Sequence, residues 1–293
     1  MNARLQEIAE ATARDSHSGA SEMLLKAATS ILALSEEDVD AIPASEWTGF
    51  GISLHRAKPT IATLFNLAND IMLEAEQGMG RDMNVRSAVA DMMEREKRSI
   101  DLITEAAGNA IEAEWIATSS YSSTVSRALE EIASRRPLRV TVAESLPGGE
   151  GRRFAKRLSD HGIDSEIVPD SNLFARMAEA DCALTGADSI TPDGLVNKVG
   201  TRVLVEAARC CGRPSYAACS GSKMSPVVLS NMIISQRKLS ERLSERSQLF
   251  ESTPLDRITC VITESGAFAP GELLAKLRDR KVAAAWSSLG MSL

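Results

Sequence analysis

Between Val142 and Pro226 the chain places Glu144, Asp188, Asn197, Lys198 and Lys223 at or just beyond the ends of short apolar runs. Carboxylates, an amide and ammonium groups gathered at one edge of a sheet make a site for a small anionic ligand. Asp188 stands directly after an apolar strand in LTGADSI. A carboxylate there is open to desolvation, which raises its pKa toward the range useful for proton transfer. The plainer reading is an Asp that caps the turn before PDG. Asn197 and Lys198 suit orienting a ligand and balancing its charge, as does Lys223 in GSKMSP. Read one at a time, such residues are more often solvated surface.

Two loops could hold a phosphate. SLPGGEGRR follows a strand and opens a helix, so the backbone N–H groups of Gly148 and Gly149 could face an anion at the helix N-terminus, with Arg152 adding positive charge. The spacing is not GxGxxG, which weighs against a dinucleotide. An ordinary αβ turn using glycine at positive φ accounts for the same residues about as well. Ser119, Ser120, Ser122 and Ser123 surround Tyr121 after another strand. Their hydroxyls could join a helix N-terminus in a phosphate cradle, or one of them could simply cap the helix.

Helices and strands must position these groups. Residues 1 to about 112 carry apolar residues at helical spacing, as in LLKAATSILAL and PTIATLFNLANDIML, with Pro59 suited to a helix first turn. A long helical stretch from Asn84 to about Ala113 joins this part to the second half of the chain. From residue 113 onward, WIAT, LRVTVAE, DSEIVP, DCALTG, RPSYAAC and DRITCVIT read as strands, and helical segments separate most of them. The fold class is therefore α/β: a helical N-terminal domain over 1–112, then a mostly parallel sheet domain over 113–293 with its strand C-termini on one edge.

Composition narrows the function. The chain has 293 residues, of which 44% are hydrophobic and 25% charged, as in an ordinary globular protein. A net charge of −7 and 4% aromatic residues argue against non-specific nucleic-acid binding and against a base-stacking platform. Five cysteines, two of them adjacent and none in a CxxC pair, fit reduced thiols in a cytoplasmic protein. The N-terminus has no apolar signal region, and no apolar run is long enough for a membrane span. His17, His55 and His161 lack ligand spacing and read as surface or turn residues. No metal or other cofactor is expected.

The ordered set ESLPGGEGRRFAKRL, VPDSNLFARM, LTGADSITPDGLVNKVGT, SGSKMSP and FESTPLDRITCVITESG resembles the initiation factor 2B alpha/beta/delta family. The superfamily also contains methylthioribose-1-phosphate isomerase and ribose-1,5-bisphosphate isomerase. The resemblance covers about residues 118 to 266 and extends more loosely into the first domain. It implies a Rossmann-like second domain, assembly as a homodimer or larger oligomer through that domain, and a phosphorylated small-molecule ligand. By match, Asp188 takes the acid/base position of the isomerase members, with Asn197 and Lys198 beside it. Three positions depart from the isomerase pattern. Ser120 stands at the catalytic cysteine position, and Ser18 and Leu146 stand where arginines are usual. A thiol with a pKa near 8.5 supplies thiolate at neutral pH, whereas an unassisted serine hydroxyl does not. The resemblance therefore implies a regulatory or scaffold protein binding a sugar phosphate or nucleotide, with an altered sugar-phosphate isomerase as the alternative.

Overall fold

Apolar residues at helical spacing make the first third of the chain a helical bundle. The computed structural model describes residues 2–77, 84–229 and 234–288. The bundle comprises α1 (Ala3–Arg14), α2 (Ala20–Leu32), α3 (Glu36–Asp40), α4 (Ala44–Ala57), α5 (Ala62–Gln77) and α6 (Val85–Ala110). Helix α2 buries Met23, Leu24, Ala27, Ala28 and Ile31, a single stripe. Helix α5 is central and buries residues all round. Pro59 does not open α5. It lies in the turn after α4, and α5 begins at Ala62, whose N–H is capped across the molecule by Ser189 Oγ at 2.8 Å. A tertiary partner therefore sets this helix start in place of the local proline signal.

Strands and helices then alternate: β1 (Trp115–Ser119), α7 (Ser123–Arg135), β2 (Arg139–Ala143), α8 (Glu150–Asp160), β3 (Asp164–Val168), α9 (Leu173–Met177), β4 (Cys182–Thr185), β5 (Ser189–Thr191), β6 (Gly194–Lys198), α10 (Thr201–Cys210) and β7 (Ser215–Ala218). The remainder is β8 (Ile234–Lys238), β9 (Ser244–Gln248), β10 (Phe250–Thr253), β11 (Cys260–Thr263), β12 (Gly266–Phe268), α11 (Pro270–Arg278) and α12 (Ala284–Ser288). The main sheet has the order β12-β11-β7-β4-β1-β2-β3, parallel except for β12 at its edge. The six strand segments foreseen from the sequence are its six parallel strands. The order reverses between β1 and β4, and the crevice beyond the strand C-termini at such a point is where open α/β sheets bind ligands.

Two smaller sheets were not foreseen. Strands β10, β6 and β5 form an antiparallel sheet that carries Asn197 and Lys198. Strands β8 and β9 form an exposed hairpin. The helical bundle has its own apolar core, which also takes in Val227 and Leu229 from the segment after β7 and Ala283 and Trp286 from the end of the chain. Among the described residues no helix is long and apolar enough to cross a membrane.

Candidate functional site

A cleft of about 740 Å³ opens between the α1–α2 turn of the bundle and the C-terminal edge of the sheet. The loop after β1 brings Ser120, Tyr121, Ser122 and Ser123 to it. Helix α8 contributes Glu150, Arg153, Lys156 and Arg157, and the strand ends contribute Asp188, Asn197, Lys198 and Lys223. His17 and Ser18 face it from the bundle.

Asp188 follows β4 through Gly186 and Ala187, and its N–H donates to the Val196 carbonyl at 2.9 Å. That bond pins it to β6 and turns its side chain to the cleft. No hydrogen bond or ion pair reaches its carboxylate among the described residues. Burial pushes its pKa up, against the opposing charge of Lys223.

Lys223 is only 6% exposed and has no hydrogen-bonded or ionic partner for its ammonium among the described residues. Its turn is fixed from several sides. Ser220 and Ser222 donate to the buried Glu96 carboxylate of α6 at 3.2 and 2.6 Å. Gly221 N–H donates to Glu264 at 2.9 Å. Asn66 of α5 donates to the Ser222 and Met224 carbonyls at 2.6 and 2.9 Å. The helical bundle thus sets the position of this cleft cation.

Asn197 and Lys198 are both buried on β6, not solvated. Asn197 Nδ2 donates to Thr185 and Thr201 hydroxyls at 3.2 and 2.9 Å. Lys198 Nζ donates to both Glu150 oxygens at 2.7 and 2.6 Å. Ser119 ends β1 with its Oγ buried and without a partner among the described residues. Ser120 adopts φ +63° and donates its N–H to Ser145 Oγ at 2.5 Å. Ser122 caps α7 through the Val125 N–H at 3.3 Å, so the capping reading holds for one member of the serine cluster.

Glu144, Gly148, Gly149 and Arg152 lie outside the cleft lining. Arg152 pairs with Glu144 at 2.6 Å and is mostly exposed. The loop glycines serve conformation and packing: Gly148 and Gly149 have φ +115° and +70°. A Cβ on the next glycine, Gly151, would sit 1.8 Å from the Ala143 carbonyl. Sequence reasoning chose Arg152 and missed Arg153, Lys156 and Arg157. Those three sit at i, i+3 and i+4, one face of α8, and that spacing was the available signal. Arg153 stacks its guanidinium 4.8 Å above the Tyr121 ring. Lys156 pairs with Asp160 at 2.8 Å, and Arg157 with Glu130 at 3.3 Å.

His17 and His161 line the cleft, whereas His55 is buried against Phe65 and Trp286. The surface reading of His55 is therefore corrected: its ring fills an aromatic contact inside the bundle. Burial pushes the thiols of Cys182 and Cys219 up to about 12, which suits core packing. No group of three or more His, Cys, Asp or Glu among the described residues could hold a metal ion.

Fold and cleft define a two-part α/β protein with a helical bundle facing the ligand edge of a parallel sheet. The chain belongs to the initiation factor 2 subunit family, whose model matches residues 19–270. It is 30% identical to a Pyrococcus horikoshii protein named as an eIF-2B subunit 2-like translation initiation factor, over 91% of this chain and 97% of that one. It is 28% identical to a ribose 1,5-bisphosphate isomerase of Archaeoglobus fulgidus, over 86% of this chain and 85% of that one. Among solved structures, a translation initiation factor eIF-2B from Pyrococcus horikoshii OT3 superposes with a TM-score of 0.78 at 27% identity, covering 93% of this chain and 99% of that one. A tetrameric eIF2B-beta2-delta2 complex from C. thermophilum shares the fold, with a TM-score of 0.71 at 18% identity, over 94% of this chain and 93% of that one.

Proposed function

We propose that the chain is an eIF2B-type regulatory or scaffold protein of the cytoplasm that binds a phosphorylated small molecule, a sugar phosphate or nucleotide, in its cleft. The observation that carries this is Lys223: a nearly buried ammonium with no hydrogen bond or close ion pair among the described residues, on a turn held from several sides, with the buried Asp188 carboxyl in electrostatic reach. A buried ammonium without hydrogen-bonded acceptors is costly, and an anionic ligand relieves that cost. Arg153 and the serine hydroxyls add donors, and Asp188 is placed to accept from a sugar hydroxyl. A ligand that binds only the folded state raises the melting temperature. Pentose phosphates and nucleoside monophosphates at saturation are expected to raise it by ~2 °C or more. No shift with any of them, and Lys223→Met melting like wild type throughout, would leave the cleft without a ligand role.

Assembly as a homodimer or larger oligomer through the sheet domain belongs to the same proposal, and the tetrameric structural relative is its motivation. Light scattering is expected to give a particle larger than the 31.4 kDa chain at micromolar concentration. A monomer there would remove this part of the reading.

A second reading is a sugar-phosphate isomerase. It is favoured by the relatives bearing that name and by Asp188, whose burial raises its pKa toward that of a working acid/base. Ser120 stands against it. Its hydroxyl has no hydrogen-bonded base among the described residues, so it stays protonated at neutral pH. Turnover of ribose 1,5-bisphosphate or methylthioribose 1-phosphate at about 1 per second or more, an ordinary enzyme rate, lost in Asp188→Asn, would put the isomerase reading first.

A further inference from the structure

Lys198 is a cleft cation bonded to the glycine loop, and its donors are already used. Its ammonium donates to Glu150 Oε1 and Oε2 at 2.7 and 2.6 Å and to the Pro147 carbonyl at 2.5 Å, with the Ser145 carbonyl at 3.5 Å. An ammonium has three N–H bonds, so nothing is left for a ligand. Three N–H groups at the start of α8 are used in the same way. Gly149 N–H donates to the Ser145 carbonyl at 3.1 Å, Gly151 N–H to the Glu144 carbonyl at 3.2 Å, and Arg152 N–H to the Gly149 carbonyl at 3.1 Å.

Glu150 is thus the anion at this end of the cleft. It is the first residue of α8, lines the cleft, and its side chain is 35% exposed. Carboxylates are favoured at a helix N-terminus, which adds to its hold on the place. A ligand phosphate arriving here meets a carboxylate. Lys223 and Arg153 differ: neither is hydrogen-bonded to or in a close ion pair with a carboxylate among the described residues, although the buried Asp188 carboxyl feels the charge of Lys223.

We infer that Glu150 is a specificity-determining residue that occupies the second anion position of the cleft, so that the site selects ligands with a single phosphate over bisphosphates. This rests on the reading of the cleft as a site for a phosphorylated ligand. It gives Lys198 a structural task and moves ligand recognition to Lys223 and Arg153. It also sets an expectation that runs against net charge. The lining carries five Lys and Arg side chains against the four carboxyls of Glu22, Glu150, Asp160 and Asp188, a small positive balance that by itself favours the more highly charged ligand.

The test is calorimetric titration of ribose 5-phosphate and ribose 1,5-bisphosphate into wild type and Glu150→Gln. The amide keeps the size of the side chain and one acceptor for Lys198 while removing the charge. Wild type is expected to bind the monophosphate at least as tightly as the bisphosphate. In Glu150→Gln the affinity ratio is expected to shift toward the bisphosphate by about 10-fold, the scale of one charge-assisted contact. A wild type that prefers the bisphosphate, or a ratio that moves by less than about threefold, overturns the assignment of Glu150 while leaving the cleft as a phosphate site. Binding of neither sugar phosphate to either protein overturns both readings. The wild-type ratio stands as a test by itself should the variant fail to fold.

Discussion

Lys223, Arg153 and Arg152 separate what the cleft does from what the sequence suggests. Lys223→Met removes the ammonium, which has no hydrogen bond among the described residues, without adding a new group. Hydrogen bonds to charged groups contribute ~1.5–3 kcal/mol, so affinity for a sugar phosphate should fall by about 10- to 150-fold. Arg152→Ala should leave affinity unchanged, because Arg152 is turned outward onto Glu144. Arg153→Ala should weaken it by a smaller factor than Lys223→Met, because the guanidinium is exposed. Equal losses for Arg152→Ala and Arg153→Ala in the same titration would refute the division of the α8 faces. Strand-end position made Asp188, Asn197, Lys198 and Lys223 legible in the sequence, since each follows or lies within a β-branched or apolar run. The identity of the cation left free was not legible. Glu150 and Lys198 are 48 positions apart, and only the folded β6 and α8 bring them together.

The glycine loop and the α6 seam show how elements hold the site. Gly151→Ala puts a Cβ 1.8 Å from the Ala143 carbonyl, so α8 must move off β2. The expected cost is ~2–4 kcal/mol in urea denaturation. Gly149→Ala meets nothing within 4 Å and carries only the penalty of φ +70°, roughly 1 kcal/mol. Costs in the reverse order would show that the loop is built for its backbone conformation and not for close packing. Glu96→Ala leaves the Ser220 and Ser222 hydroxyls without their carboxylate, at a cost of ~1–3 kcal/mol. It should also weaken the ligand response by loosening the Lys223 turn. The parallel strands were legible because strands buried on both faces read as continuous apolar runs, as in VTVA and CALT. Strands β5 and β6 hid in a segment read as turns around PDG. Strands β8 and β9 are charged and polar on both faces, so no alternation marks them.

At the scale of the whole molecule, the end of the chain returns to its beginning. Trp286 is fully buried, 4.9 Å from the Phe65 ring and 5.3 Å from His55. Asn69 ties the return, accepting from the Ala283 and Trp286 N–H groups at 2.9 and 3.2 Å and donating to the Lys281 carbonyl at 3.0 Å. A boundary at residue 112 describes the change of rhythm in the sequence, but this contact spans more than 200 positions and leaves no local signature. It also makes the bundle sensitive to acid. His55 Nδ1 is buried without a partner among the described residues. Burial, and then the charge of Arg56, push its pKa from 6.5 down to about 4. Between those values the unfolded chain binds a proton that the folded chain refuses, so stability falls as pH falls through that window and is flat above it. The full loss by pH 4 is about 3 kcal/mol. Carboxylates titrate in the same range, so the comparison is between wild type and His55→Leu, in which they cancel. Whatever the two differ by at pH 7.5, the balance should move toward His55→Leu by ~2–3 kcal/mol as urea denaturation is repeated down to pH 4.5. A difference that stays constant across that range would mean that His55 takes up its proton in the folded state as readily as in water, and that the aromatic contact with Trp286 is not what sets its charge.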